Sequence, residues 1–274
     1  MALLSGADGD ILHVPIIGGT NMRFISRRRR FARTIAWGAI SLFVVLGIRQ
    51  LHAQGVKTQY PRMAPIEQYL MDRNAEIALA RSAAPEAISR DATVLVLSRH
   101  GYETAVEGKN GFVCMVERAW VGAFDWPEFG NPKVRGADCL NPPAARSILP
   151  LAEMRTEMVL AGRTKTDIVE RIRAALNKRE VPALEPGAMS YMMSKGSYLT
   201  DEDDHNGPHL MFYMPLADAA AWGAGVPGSP VGSGPYWFVS EKTNQELNGL
   251  PPIRVFTVEV GKWSDGTVAH EHQE

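Results

Sequence analysis

A run of 14 uncharged apolar residues, Ile35 to Ile48, sets the first limit on this 274-residue chain. Six arginines precede it between Met22 and Thr34, and Arg49-Gln50-Leu51-His52-Ala53-Gln54 follows. A helix that stays in a bilayer needs roughly 20 apolar residues, so this run is short for a permanent span. A basic start, a short apolar centre and a small residue beyond it form the layout of a secretory signal. Residues 22–54 are therefore expected to be a signal peptide, cut after Ala53 or Gln54, with an uncleaved anchor as the alternative. Residues 1–21 are expected to be a mis-assigned N-terminal extension, Met22 being the true start. Arg28-Arg29-Arg30-Phe31 permits twin-arginine as well as ordinary export. The part left to fold is a linker over 55–64 and a single domain over 65–274, with no permanent membrane span after cleavage. Its expected place is the periplasm or the exterior of a bacterial cell.

The cut also changes the charge. The whole chain carries 29 basic and 30 acidic residues, but seven of the basic and two of the acidic ones lie before Gly55. What remains has 22 basic against 28 acidic side chains, a net charge of -6. A surface of that sign does not suit the phosphates of nucleic acid, so no nucleic-acid partner is expected. Cys114 and Cys139 are the two cysteines of the chain. In an oxidising compartment they are expected to pair, closing a loop worth about 3 kcal/mol. A reactive thiol or a metal-ligand pair is the alternative, without the C-x-x-C spacing that usually marks one.

Hydrophobic periodicity places the elements. Pro65 opens a helix expected to run to about Ala83, and Thr93–Ser98 is a β-branched, apolar strand. Tyr102–Glu107 and Phe112–Arg118 alternate with period two, and the three strands are expected to form an antiparallel meander. Residues 119–143 look irregular. A helix over Ala144–Ala161, broken at Pro150, precedes a second that Thr164 caps, with Asp167 three residues on. Met189–Ser194, His209–Met214, Tyr236–Ser240 and Ile253–Val260 are the remaining expected strands. The fold class that follows is α+β: a mainly antiparallel sheet with helices packed on one face.

The chemistry is less explicit. Gly223-Ala224-Gly225-Val226-Pro227-Gly228 matches G-x-G-x-x-G, but Pro227 and Pro230 oppose the helix that a dinucleotide site needs, so a loop is expected. The strongest candidate is Asp201 to His209, where four acids precede His205 and His209 opens a strand. Asp204, His205 and His209 together could ligate a divalent metal as a cofactor. A solvated acidic loop with one strand-end histidine is the plainer alternative. His100, in a turn near Glu103, is a weak candidate for general acid or base. His209, Met211 and Tyr213 share a strand face, as do Met189, Tyr191 and Met193. If the two faces adjoin, a thioether-rich surface results that would suit Cu(I), although Met is more often a core filler.

Four strings, HGYETAVEGKNGFVCMVERAW, PGAMSYMMSKGSYL, GPHLMFYMP and KWSDGT, resemble a family of uncharacterised exported bacterial proteins. The resemblance spans roughly residues 84–267. It implies export and a shared fold, and it brings no substrate or catalytic residue. Members of that family carry more histidine where this chain has Asn206 and Gly207, which implies a weaker or differently built metal site here. The function expected is a noncatalytic binding or envelope-associated module, with a small ligand or an envelope partner. The alternative is a metal-dependent enzyme, with a hydrolase among the options, whose site is near the Asp201–His209 loop.

Overall fold

The computed structural model describes residues 60, 62–202, 207–215, 218–240, 242–243 and 250–269. The chain divides into two units, Met1–Ala53 and Gln54–Glu274, and the first lies outside the described residues together with the expected signal.

The second unit is α+β. Eight strands form one sheet: β1 (Thr93–Ser98), β2 (Gly101–Val106), β3 (Val113–Glu117), β4 (Gly136–Leu140), β5 (Met189–Met192), β6 (His209–Pro215), β7 (Val231–Pro235) and β8 (Ile253–Glu259). Their order is β2-β1-β3-β4-β5-β6-β8-β7, and every neighbouring pair is antiparallel except β1 with β3. The expected meander is therefore corrected: β2 folds back along one side of β1, and β3 lies parallel to β1 on its other side.

Five α-helices accompany the sheet among the described residues: α1 (Arg73–Arg81), α2 (Glu86–Ser89), α3 (Pro142–Ser147), α4 (Leu149–Leu160) and α5 (Lys165–Asn177). The expected helix from Pro65 is a 3-10 turn, Ile66–Gln68, followed by α1, whose cap Asp72 accepts from the Ala75 amide at 3.0 Å. The next expected helix is two, α3 and α4, meeting at Ile148. Pro150 falls in the first turn of α4, where a missing N–H costs nothing. The α5 cap is as read: Thr164 Oγ1 accepts from the Asp167 amide, and Asp167 accepts from the Thr164 amide.

Strand parity assigns two faces. Val94, Cys114, Val116, Ala137 and Cys139 lie under α1 with Ala80, Ala83 and Ala84. Leu95, Met115 and Leu140 point the other way, under Ala144 of α3 and Ile148. On that second side α4 and α5 pack around Leu97, Trp120, Ile168 and Ile172. So α3, α4 and α5 share one face, while α1 covers the other. Cys114 and Cys139 are directly opposed in the β3–β4 register and form a disulfide with no exposure.

Two further expectations fail for identifiable reasons. β4 lies inside the segment read as irregular. All five of its residues are buried, so Gly-Ala-Asp-Cys-Leu shows no alternation of polar and apolar positions. Tyr236–Ser240 is not a strand among the described residues. The strand is Val231–Pro235, inside the Gly- and Pro-rich segment, and Trp237 and Phe238 turn inward to join the aromatic core. Gly232 permits this pairing, since a Cβ there would stand 2.5 Å from Thr257 Oγ1. The G-x-G-x-x-G stretch is loop, with Gly223, Gly225 and Gly228 all at positive φ.

Candidate functional site: an acid pair facing a buried arginine

Two acids sit within the second face, between β3 and β4. The β3–β4 register pairs Glu117 with Gly136 and Met115 with Asp138, so the two carboxyls are diagonal neighbours on one side of the sheet. Ser190 of β5 and Tyr213 of β6 continue that row. Their hydroxyls are 3.3 Å apart, and both residues are buried. From above, α4 contributes Arg155. The segment after β7 contributes Tyr236, whose ring lies 5.9 Å from that of Tyr213 and edge-on to it.

The cluster is short of partners. Asp138 has no exposure, and neither of its carboxylate oxygens finds a partner at full hydrogen-bond geometry among the described residues. The Ser190 hydroxyl, the Cys139 amide and the Glu117 carboxyl lie near enough to favour the anion without reaching full hydrogen-bond geometry. Arg155, also without exposure, gives one nitrogen to the Val121 and Gly122 carbonyls, leaving Nε and Nη2 with nothing. Its guanidinium carbon stands 4.3 Å from the Phe124 ring centre and 5.3 Å from that of Tyr236. The Tyr236 hydroxyl is unpartnered too. A buried polar group without a partner costs about 1–3 kcal/mol, more if charged, so native cores rarely gather several in one place.

Burial dominates the electrostatics. It pushes the Asp138 carboxyl up to about 7 and the Glu117 carboxyl well above the usual range. The charge of Asp138 raises Glu117 further, while Arg155 pulls it back. Burial also lowers the Arg155 guanidinium and raises the Tyr213 and Tyr236 phenols. Two carboxyls so placed favour sharing one proton near neutrality. Held that way the pair carries one negative charge, which Arg155 balances.

A buried ion pair elsewhere in this unit is fully engaged and structural. Arg118 reaches Glu76 at 2.8 Å and the Tyr69 carbonyl at 2.8 Å, and Glu76 also accepts from the Leu97 amide. It ties α1 to the end of β3.

The residues singled out in the sequence are placed as follows. Asp204 and His205 lie outside the described residues. His209 opens β6, where burial lowers its imidazole and its Nδ1–H donates to the Gly207 carbonyl at 2.8 Å. His100 is exposed in the β1–β2 turn. Four strand spacings, about 19 Å, separate β1 from β6, so His100 and His209 do not meet. Asp201, first of the four acids, is held by Lys133 at 2.7 Å and by the Tyr60 and Tyr198 hydroxyls, which keep its carboxyl well below the usual range. Among the described residues no three His, Cys, Asp or Glu side chains converge as a metal site would require. The His209–Met211–Tyr213 face does not adjoin Met189 and Tyr191, which pair with Phe212 and Leu210. Its neighbours on β5 are Ser190 and Met192.

Sequence reasoning passed over Glu117, Asp138 and Arg155, although Arg155 and Glu117 each left a trace. Arg155 stands on the buried stripe of α4, in step with Leu151, Ala152, Thr156 and Val159. Glu117 shares parity with the buried Met115. Comparison with protein-family models, with curated proteins and with solved structures finds no match to the chain.

Proposed function

We propose that the chain is an exported binding protein whose ligand is a small, neutral, hydrogen-bonding molecule held between the Glu117–Asp138 pair, Arg155 and Tyr236. One observation carries this reading: buried polar groups gather in one part of the core, with Arg155 Nε and Nη2 and the Tyr236 hydroxyl unpartnered among the described residues and the Asp138 oxygens short of full hydrogen-bond geometry. A ligand with both donors and acceptors, such as a polyol, a sugar or an amide, would meet the carboxylate oxygens and the guanidinium together. The balance of one shared negative charge against Arg155 favours a neutral molecule over an ion. Export is supported by the pattern of residues 22–54 and by the buried disulfide, which suits an oxidising compartment.

The test is a thermal-shift screen of the purified protein with neutral polyols, sugars and amides, with amines and carboxylates as controls. A neutral compound should raise Tm, and Tyr236→Phe should weaken that shift while leaving the free protein as stable as before, since the lost hydroxyl has no partner. If no neutral compound shifts the protein at millimolar concentration, the cluster is only a strained part of the core.

A further inference from the structure

Beside the first turn of α4 lies an apolar cleft of about 770 Å³, within the range of small-molecule sites. Leu151, Leu176, Val181, Leu184, Leu250 and Ile253 form much of its wall, and Arg179 is the one charged residue among the described lining residues.

Arg179 is placed there by an unusual backbone. α5 ends in a Schellman turn, with the Arg179 amide donating to the Leu176 carbonyl at 3.1 Å and the Glu180 amide to the Ala175 carbonyl at 2.8 Å. The turn needs a left-handed residue, a place that glycine usually fills. Here it is arginine, with φ 58, the one non-glycine residue at positive φ among the described residues. The arginine is less stable at that point than glycine would be. The nearby acids do not repay it. Glu180 is taken by Arg171 at 2.7 Å and by Lys178 at 3.9 Å, and Glu185 by Arg146 at 2.7 Å. Arg179 has no carboxylate partner among the described residues, and it sits exposed at the mouth of an apolar space.

We propose that this cleft is a binding site for a single-chain amphipathic carboxylate, its apolar chain lying against Leu151, Leu176, Val181 and Ile253 and its carboxylate paired with Arg179. An apolar wall favours a chain, and a cation at the rim with no carboxylate partner among the described residues favours an anionic head. The site stands on its own observations and does not depend on the acid pair holding a ligand.

Arg179→Gly separates this role from a structural one, because the two predict opposite signs. Glycine relieves the backbone, so the variant should melt at the same or a higher temperature, yet bind the carboxylate less well. The probes are dodecanoate, dodecanol and dodecyltrimethylammonium, each below its micelle concentration, titrated calorimetrically into the protein. The wild type should prefer dodecanoate over dodecanol by about tenfold, and Arg179→Gly should bring that ratio close to one. Ala183→Trp, which fills the cleft from its exposed rim, should weaken both. Equal binding of all three head groups by the wild type would overturn the proposal, as would a preference for dodecanoate that survives Arg179→Gly. Absence of binding, with Ala183→Trp leaving Tm unchanged or higher, would also overturn it, showing a cleft that takes the chain's own residues.

Discussion

Asp138 is the residue on which the core's balance turns. It has no exposure and no partner at full hydrogen-bond geometry among the described residues, and burial raises its carboxyl to about 7. An unfolded aspartate titrates near 3.9, so between roughly pH 4 and 7 the folded chain binds more protons than the unfolded one. Stability is then highest at the acid end of that window and falls as pH rises through it. The loss is on the order of 3 kcal/mol if Asp138 acts alone, and Glu117, raised in the same direction, extends the fall toward higher pH. Asp138→Asn should flatten the slope of unfolding free energy against pH and make the protein more stable at pH 8. Urea melts at pH 5, 6.5 and 8 would show it, and an unchanged slope would place the titration elsewhere. Neither acid stood out in the sequence because the eye reads alternation by its apolar members. Phe112, Cys114 and Val116 announce one face of β3, while Glu117 ends the other, where a terminal charge ordinarily meets water.

The elements differ in legibility for the same physical reason. β1, β6 and β8 are β-branched or aromatic runs between turn residues, and their bounds follow the sequence closely. α5 was readable to its first residue because its cap is local chemistry, closed within four positions. Thr164→Ala should therefore cost about 1 kcal/mol, and Thr164→Ser should recover most of it, as read from guanidinium unfolding midpoints. β4 and β7 were not readable, since what makes them strands lies far away. β4 is held by β3 and β5 on its two sides and is covered on both faces. β7 is held by β8 alone, and its glycines bring no strand propensity of their own. The candidate site inherits this difficulty. Its parts come from β3, β4, α4 and the segment after β7, and only the register of the sheet brings them together.

Across the molecule the disulfide links the two strands that carry the acid pair. It joins β3 to β4 across a separation of 25 residues, from the face opposite Glu117 and Asp138. The double variant Cys114→Ala with Cys139→Ala should lose about 3 kcal/mol, chiefly through a less constrained unfolded chain. Chemical denaturation would measure it, and mass spectrometry without reductant should find no free thiol in the parent protein. The pairing, the α+β class and the antiparallel sheet were legible from cysteine count and strand spacing. The crossing of β3 past β1 was not, because a two-residue parallel ladder, Thr93 to Val113 and Val94 to Cys114, leaves no local signature.

The sheet's two outer margins give it a definite end. On one side Glu103 of β2 is exposed and tied to Arg73 at 2.5 Å. On the other, β7 alternates bare glycine with Val231 and Ser233 and closes on Pro235, which has no amide proton to offer. A strand from a second copy would meet a charge at one rim, and at the other a ribbon with little side chain to hold and a missing donor. Among the described residues eight strands are thus a stopping number: the protein can be concentrated without the margins of its sheet inviting a ninth.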